Sequence, residues 1–226
     1  MKVDEKTWAK WQGWIGQIAA DLQRTLLDQV LFDGFREVCE QNGEWIDSNQ
    51  GDLFAGLVKR SYAASAFMAI RRQLKTKDGS VSLLRLLDEL TAQAHQVTLD
   101  RYKELQDEGR MVTYDWRRAA LEKLSDGQAK EVVSRQRVEE DSAKLRQLNN
   151  HIEEVADRVI AHRDPRGSEG KVSFDDLHAS IDAFDLVVHK YIVFFTGTYW
   201  TDGTLKPNVT DAWMNIFKVP LKKPPA

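Results

Sequence analysis

Residues 172–197, V-S-F-D-D-L-H-A-S-I-D-A-F-D-L-V-V-H-K-Y-I-V-F-F-T-G, predict the long helix on which the fold depends. Its large apolar side chains recur at the three- and four-residue spacing of an α-helix. They are Phe174, Leu177, Ile181, Phe184, Val188, Ile192 and Phe195. Ser173 followed by Asp176 resembles a loose capping motif at the start, and Gly197 is a stop signal at the end. The stretch therefore predicts an amphipathic helix that packs into a core.

The residues before this helix predict further long helices. All five prolines lie from Pro165 onward, so none interrupts a helix in the first 164 residues. Residues 4–40 carry apolar side chains at helical spacing and end at N-G, a strong stop signal at 42–43. A second helix is expected over 52–74, before the turn K-T-K-D-G. Its predicted apolar side consists of Leu53, Leu57, Tyr62, Ala66, Ala69, Ile70 and Leu74.

Three more helical segments follow in the pattern. Ser80 is the expected N-cap of a third helix that continues toward Leu105, and residues 114–124 predict a short helix. A long helix is expected over 129–162, but residues 129–150 carry only a thin apolar stripe, which fits either a solvated helix or a surface for a partner. No alternating strand pattern and no internal repeat is present. We therefore expect an all-α antiparallel bundle of four to five principal helices.

Composition favours one domain over 1–226, with an irregular connection at 110–128 and a C-terminal tail at 198–226 that carries a short helix. The net charge of -3 argues against binding long duplex nucleic acid by charge alone. Cys39 is the only cysteine, so no internal disulfide is expected. Neither a signal peptide nor an apolar run of membrane-spanning length is found, and we expect a cytoplasmic protein without membrane contact.

Several enzyme classes lack their motifs here. The sequence contains no phosphate-binding glycine loop, no H-E-x-x-H zinc motif and no G-x-S-x-G nucleophile elbow. The last long helix does carry histidines and aspartates, namely His178, His189, Asp175, Asp176, Asp182 and Asp185. No other helix offers a matching metal-binding motif. We therefore expect no metal or other cofactor, and we place these polar residues on the outer face of the helix.

The segment A-D-R-V-I-A-H-R-D at 156–164 carries the strongest candidate chemistry. At helical spacing, Glu154, Arg158 and His162 form a row along one edge of an apolar arc. A histidine can deprotonate a 2′-hydroxyl or protonate a leaving oxygen near neutral pH, and an arginine can stabilise the charge of a phosphorane. The same pair also suits an ordinary helix end, where a basic residue stabilises the helix dipole. Spacing alone leaves both interpretations open.

Three segments together resemble the AbiU-type branch of the HEPN superfamily, from abortive phage-infection systems. They are 60–74 with its continuation at 80–90, then 156–164, and then 172–197. The resemblance spans roughly residues 10–217. It implies an α-helical bundle that commonly dimerises, and a metal-independent endoribonuclease that acts as a toxin or as a phage-defence effector.

The family motif has four to six residues between an arginine and a histidine, with a polar residue often following the arginine. His162 matches the histidine, and Asp157 fits the polar position. Ala156 stands where the arginine is expected, while Arg158 is separated from His162 by three residues. The resemblance thus implies that His162, Arg158 and Asp157 are catalytic. The alternative is a catalytically inactive HEPN bundle that binds RNA, a nucleotide or a protein.

Other basic residues are candidates for binding. Arg163, Arg71 and Arg72 have the charge to contact phosphate, and Lys75 and Lys77 follow close behind. For Arg71, Arg72, Lys75 and Lys77, a solvated helix end is a better explanation than a phosphate site.

Three tryptophans near the N-terminus, Trp8, Trp11 and Trp14, either stack bases or belong to the core or to a subunit contact. The partners expected from the resemblance are a second copy of the chain, an RNA substrate, and an antitoxin or other defence-system protein.

Overall fold

The computed structural model describes residues 2–48, 51–77, 79–106, 116–125, 133–155, 173–198 and 203–217. These residues form α-helices and short 3-10 segments, with no β-strand among them. The α-helices are α1 (Glu5–Gln41), α2 (Gly43–Ser48), α3 (Gly51–Gln73), α4 (Leu83–Gln93), α5 (Leu99–Gln106), α6 (Trp116–Glu122), α7 (Arg135–Val155) and α8 (Phe174–Thr196). Helices α1, α3, α4, α7 and α8 are the longest of these, so the predicted all-α bundle is confirmed.

Both predicted ends of α8 are confirmed. The Ser173 hydroxyl accepts a hydrogen bond from the Asp176 backbone N–H at 3.1 Å, and the Asp176 carboxylate accepts one from the Ser173 N–H at 2.8 Å. This reciprocal arrangement is a capping box. At the other end, Gly197 adopts a left-handed conformation with φ 68, which glycine tolerates at no steric cost. Helix α8 is buried over most of its length and lies at the centre of the bundle.

Helices α1 and α8 pack against each other in antiparallel orientation. Near the start of α1, the Trp8 ring lies 5.6 Å from the Phe194 ring and 4.9 Å from the Phe195 ring, both at the end of α8. Near the end of α1, the Arg36 guanidinium lies 3.8 Å from the Asp175 carboxylate at the start of α8. We call this contact between α1 and α8 the central seam.

The N-cap of α4 is Ser82, so the prediction of Ser80 is wrong. The Ser82 hydroxyl accepts a hydrogen bond from the Arg85 backbone N–H, whereas the Ser80 hydroxyl donates to the Lys77 carbonyl within the preceding turn. Helix α4 then contributes a run of buried leucines to the core. They are Leu83, Leu84, Leu86, Leu87 and Leu90.

The expectation of one helix continuing toward Leu105 is also wrong, because a 3-10 turn separates α4 from α5. The Val97 carbonyl accepts a hydrogen bond from the Val133 N–H at 3.1 Å. This carbonyl is therefore not part of a helical hydrogen-bond pattern. The Arg101 N–H, which would have bonded that carbonyl in a helix, bonds the Thr98 hydroxyl instead. Tertiary pairing therefore overrides the local helical pattern here.

Helix α7 turns its thin apolar stripe inward. Val138 and Leu145 are fully buried against α4 and α8, and the outer face pairs its own charges, as in Arg135 with Glu139 at 2.8 Å. Its start at Arg135 is later than predicted, and its described part ends at Val155. Helix α6 confirms the short helix predicted at 114–124, which lies inside the connection at 110–128. Among the described helices, none is both long and apolar enough to cross a membrane.

The C-terminal tail returns to the central seam. Asp185 accepts a hydrogen bond from the Leu205 N–H at 2.8 Å, so this carboxylate is buried rather than on the predicted outer face. The predicted short helix is a 3-10 helix, Asp211–Phe217. Its Trp213 ring packs so closely on Gly34 of α1 that a Cβ there would lie 2.6 Å from the ring. A side chain at Gly34 would displace the tail.

Candidate functional site

The four predicted residues nearest the HEPN motif, Asp157, Arg158, His162 and Arg163, lie outside the described residues. Ala156 lies outside them as well. In the sequence this segment stands between Val155, at the end of α7, and Ser173, the N-cap of α8. The described residues that adjoin the segment in the sequence therefore belong to the end of the described part of α7 and to the start of α8.

Arg71 and Arg72 lie in the last turn of α3, as predicted. The Arg72 guanidinium donates a hydrogen bond to the Asp21 carboxylate of α1 at 3.0 Å, and both side chains border a small pocket between α1, α3 and α8. Arg72 thus has a carboxylate partner within the bundle. Phosphate binding at this position would have to compete with that ion pair.

The two N-terminal tryptophans nearest the chain start are not available to stack bases. Trp8 and Trp11 are buried in the core, with 2% and 0% of their surfaces exposed. Trp14 is half-buried, and the Lys10 ammonium and the Arg85 guanidinium lie 5.0 and 4.8 Å from its ring centre. The core interpretation is therefore correct for Trp8 and Trp11.

A ladder of polar pairs crosses the central seam at the start of α8. Gln29 donates a hydrogen bond to the Asp182 carboxylate at 3.4 Å. One turn along α1, Asp33 lies 3.6 Å from the His178 Nδ1 atom, and the 3.8 Å pair of Arg36 with Asp175 follows. All three distances lie at or beyond the upper limit of ordinary hydrogen bonds. Polar contacts at this end of the seam are therefore long.

His178 is enclosed by aromatic rings rather than by solvent. Its ring meets Phe32 and Tyr62 edge-on, with centroids 6.3 and 5.7 Å apart. Burial lowers the pKa of His178 below its ordinary value, and the nearby Asp33 carboxylate only partly opposes this. Its Nε2 atom is buried without a hydrogen-bond partner among the described residues. A neutral imidazole is thus held inside the bundle.

Tyr62 of α3 completes this cluster. Its ring stacks on Phe32 at 4.1 Å, and its hydroxyl is buried with no hydrogen-bond partner among the described residues. Burial, together with the Asp33, Asp28 and Asp182 carboxylates, raises the pKa of Tyr62 well above its ordinary value. The phenol therefore stays protonated. We call Gln29, Asp33, Tyr62, His178 and Asp182 the polar end of the seam.

Sequence reasoning missed the polar end. His178 was assigned to the outer face of α8, and Tyr62 was counted as an ordinary core residue. One signal was available: His178 follows Phe174 by four residues and precedes Ile181 by three, so it lies on the apolar side of the helix. The described residues contain no group of three or more histidine, cysteine, aspartate or glutamate side chains that could hold a metal ion.

A second buried polar contact joins α7 to α8. The Tyr191 hydroxyl, which is fully buried, donates to the Asp141 carboxylate of α7 at 2.8 Å. The Lys190 ammonium also pairs with Asp141. Burial raises the pKa of Tyr191 far above its ordinary value, and Asp141 adds to the shift. In contrast to Tyr62, this phenol has a charged acceptor, so it fixes α7 against α8.

The described residues form an all-helical bundle, which is the fold that the resemblance to HEPN proteins implies. The model of the HEPN family described as AbiU2 matches residues 41–216. The chain therefore belongs to the AbiU2 family of HEPN proteins. The match begins at the last residue of α1, so nearly all of that helix lies outside it, although we expected the resemblance to begin near residue 10. No curated protein and no solved structure matches the chain.

Proposed function

We propose that this AbiU2-family protein is a metal-independent endoribonuclease of a phage-defence or toxin–antitoxin type system. The observation that carries the proposal is the family match over 41–216, because this range includes Asp157, Arg158 and His162.

The proposed chemistry needs only a proton carrier and a cation. His162 takes the proton from a ribose 2′-hydroxyl, and the 2′-oxygen attacks the adjacent phosphorus. The bond from phosphorus to the 5′-oxygen breaks, and that oxygen takes up the proton that His162 removed from the 2′-hydroxyl. The products are a 2′,3′-cyclic phosphate and a 5′-hydroxyl. Arg158 neutralises the charge that develops on the phosphorane oxygens.

The test uses purified protein and a mixed RNA substrate in EDTA, followed by analysis of the new RNA ends. We expect cleavage by the wild-type chain, and a loss of about 100- to 10,000-fold in the His162→Ala variant. His95→Ala is the matched control, because His95 is an exposed histidine in the turn after α4. Cleavage that persists in His162→Ala, or requires a divalent metal, would contradict the proposal.

The second candidate is an inactive HEPN bundle that binds RNA, a nucleotide or a protein. The observation that favours it is Ala156, which occupies the position where the family motif has arginine. This candidate predicts no cleavage by the wild-type chain but retained binding of one of those partners. The Ala156→Arg variant separates the two candidates, because cleavage that appears only in this variant would identify the missing arginine as the cause of inactivity.

A further inference from the structure

The C-terminal tail is anchored to α8 through a buried carboxylate. Asp185 is only 5% exposed. One of its oxygens accepts the 2.8 Å hydrogen bond from the Leu205 N–H, and the other accepts a hydrogen bond from the Thr204 hydroxyl. The Leu205 side chain is buried with the core residues. Because a buried carboxylate needs hydrogen bonds to offset its loss of water, Asp185 and the tail depend on each other.

The same tail is anchored to α1 through a notch at Gly34. Glycine has no side chain, so the surface of α1 is low at this position, and the Trp213 ring occupies the space. The three atoms nearest to a Cβ at Gly34 would all belong to this ring. The tail therefore has one anchor on each helix of the central seam. We call residues 203–217 the strap, Asp185 its α8 anchor and Gly34 its α1 anchor.

The strap crosses the central seam next to the polar end. Its α1 anchor directly follows Asp33 in the sequence, and its α8 anchor follows Asp182 by three residues, which is about one helical turn. Burial is the main cause of the lowered pKa of His178, and the Lys206 ammonium of the strap lowers it further. The strap thus bridges α1 and α8 at the end of the seam where the polar contacts are long.

The strap has few apolar contacts with the bundle. Of its residues whose burial the structure describes, only Leu205 is buried, and Trp213 is half-buried. Attachment also takes the Asp185 carboxylate out of water, a cost that its two hydrogen bonds must offset. Segments with few buried apolar contacts detach at a lower free energy than that of unfolding the whole domain. The strap can therefore leave a bundle that stays folded.

We propose that the strap detaches from the folded bundle as a unit, and that its detachment opens the polar end of the central seam. The two anchors make the strap a unit, because both belong to one short stretch of chain. Detachment removes the bridge between α1 and α8 and lets water reach Asp185. This conformational step goes beyond the proposed function. It is measured without RNA, so a failure of the strap and a failure of cleavage are distinguishable.

The Leu205 amide reports detachment directly, because its hydrogen bond to Asp185 breaks when the strap leaves α8. Native-state hydrogen exchange of the wild-type chain compares this amide with those of Leu87 and Leu90, which are fully buried in α4. The Leu205 amide should be protected, yet exchange at least about 10-fold faster than the α4 amides and with a weaker dependence on urea. Equal rates would mean that the strap leaves only when the whole chain unfolds, and an unprotected amide would mean that it is not anchored. Either result would overturn the proposal.

Trp213→Ala tests the link between the strap and the polar end. It should speed the exchange of the Leu205 amide and of amides 178–185 in α8, each by at least about 10-fold, and leave amides 8–15 of α1 unchanged. Trp14→Ala is the matched control, because it removes another half-buried tryptophan outside the strap. It should leave the Leu205 amide and amides 178–185 unchanged. Faster exchange at Leu205 without a change at 178–185, or an equal acceleration at 8–15, would overturn the proposal.

Gly34→Leu reaches the detached state by a second route. The added side chain would displace the Trp213 ring from the notch, so this variant should also speed exchange of the Leu205 amide. In a Trp213→Ala chain the same substitution should have no further effect, because no ring remains to be displaced. Additive effects of the two substitutions would show that Gly34 is not an anchor and would overturn the strap. Circular dichroism of each variant checks that the chain is folded.

Discussion

Helices α1 and α8 meet at both ends of the central seam, but the two ends are held together differently. The aromatic end consists of Trp8, Trp11, Tyr102, Phe194 and Phe195, all of which are buried. The polar end, at the opposite end of α1 and α8, combines carboxylates, an amide, an imidazole and a phenol. Helix pairing is thus the same along the seam, while the side chains set how firmly each end is held.

At the aromatic end, packing and hydrogen bonding act together. The Tyr102 ring stacks on Phe194 at 4.7 Å, and its hydroxyl donates to the Phe194 carbonyl at 2.5 Å. The Trp11 indole N–H donates to Glu89 at 3.0 Å. Trp8 is the exception, since its buried N–H has no hydrogen-bond partner among the described residues. Separating α1 from α8 at this end would therefore break both aromatic packing and hydrogen bonds.

At the polar end, buried groups lack such partners. Gln29, Tyr62 and His178 each keep one buried polar atom without a hydrogen-bond partner among the described residues. Opening this end returns those atoms to water, which partly offsets the loss of apolar contact. We therefore infer that the polar end opens at a lower free energy than the aromatic end. It adjoins the start of α8, the helix that follows the candidate catalytic segment.

The largest expected effect is at the aromatic end. Trp8→Ala should destabilise the fold by about 3–5 kcal/mol. The Trp8 ring contacts four other aromatic rings, and its removal would leave a cavity among them. Urea denaturation measures the change. Trp14→Ala on the same helix is the matched control, and its smaller loss reflects a half-buried ring. Equal losses of stability in the two variants would contradict the claim that aromatic packing holds this end of the seam together.

Two tyrosine variants test the hydrogen-bonding half. Tyr102→Phe should cost about 1–3 kcal/mol, because it leaves the Phe194 carbonyl buried without that donor. Tyr62→Phe should change the stability by less than about 0.5 kcal/mol, or increase it, because its hydroxyl has no hydrogen-bond partner among the described residues. Both keep the ring in place, so urea denaturation compares the hydroxyls alone. A cost for Tyr62→Phe as large as that for Tyr102→Phe would show that the polar end is as well satisfied as the aromatic end.

The helical spacing in the sequence was sufficient to predict the bundle, because amphipathic period and capping are local properties. Residues 172–197 show this most clearly, since the capping box and the stop at Gly197 both occur where predicted. The break between α4 and α5 was not predictable in this way. It depends on the Val97 carbonyl bonding to Val133, which is distant in the sequence.

Burial of polar residues was harder to predict than helices. Asp185 and His178 are polar and were therefore expected on the outer face of α8. Both lie inside the bundle, because residues of neighbouring elements contact them. Leu53 and Leu57 show the reverse error: they are exposed on α3, since a helix with two apolar sides does not reveal which side the core uses. For the HEPN motif, the sequence names His162 and Arg158 but leaves open whether the two cooperate.

The smallest expected effect is the pH dependence of the polar end. Because burial lowers the pKa of His178 in the folded protein, the unfolded chain takes up this proton first as the pH falls. Stability should therefore decrease from about pH 7.5 to pH 5.5, through the ordinary histidine value near 6.5. The Asp33 and Asp182 carboxylates reduce the effect, while Arg36 and Lys206 add to it.

His178→Gln isolates this contribution. Its urea midpoint should fall less over the same pH range than the midpoint of the wild-type chain, because the variant lacks the imidazole whose pKa burial lowers. Comparing slopes removes any change in stability that the substitution causes at neutral pH. If His178→Gln and wild type lost stability equally, the imidazole would have to be as easy to protonate in the bundle as in the unfolded chain. The polar end would then already be open to water, and its opening would require no further disruption of the seam.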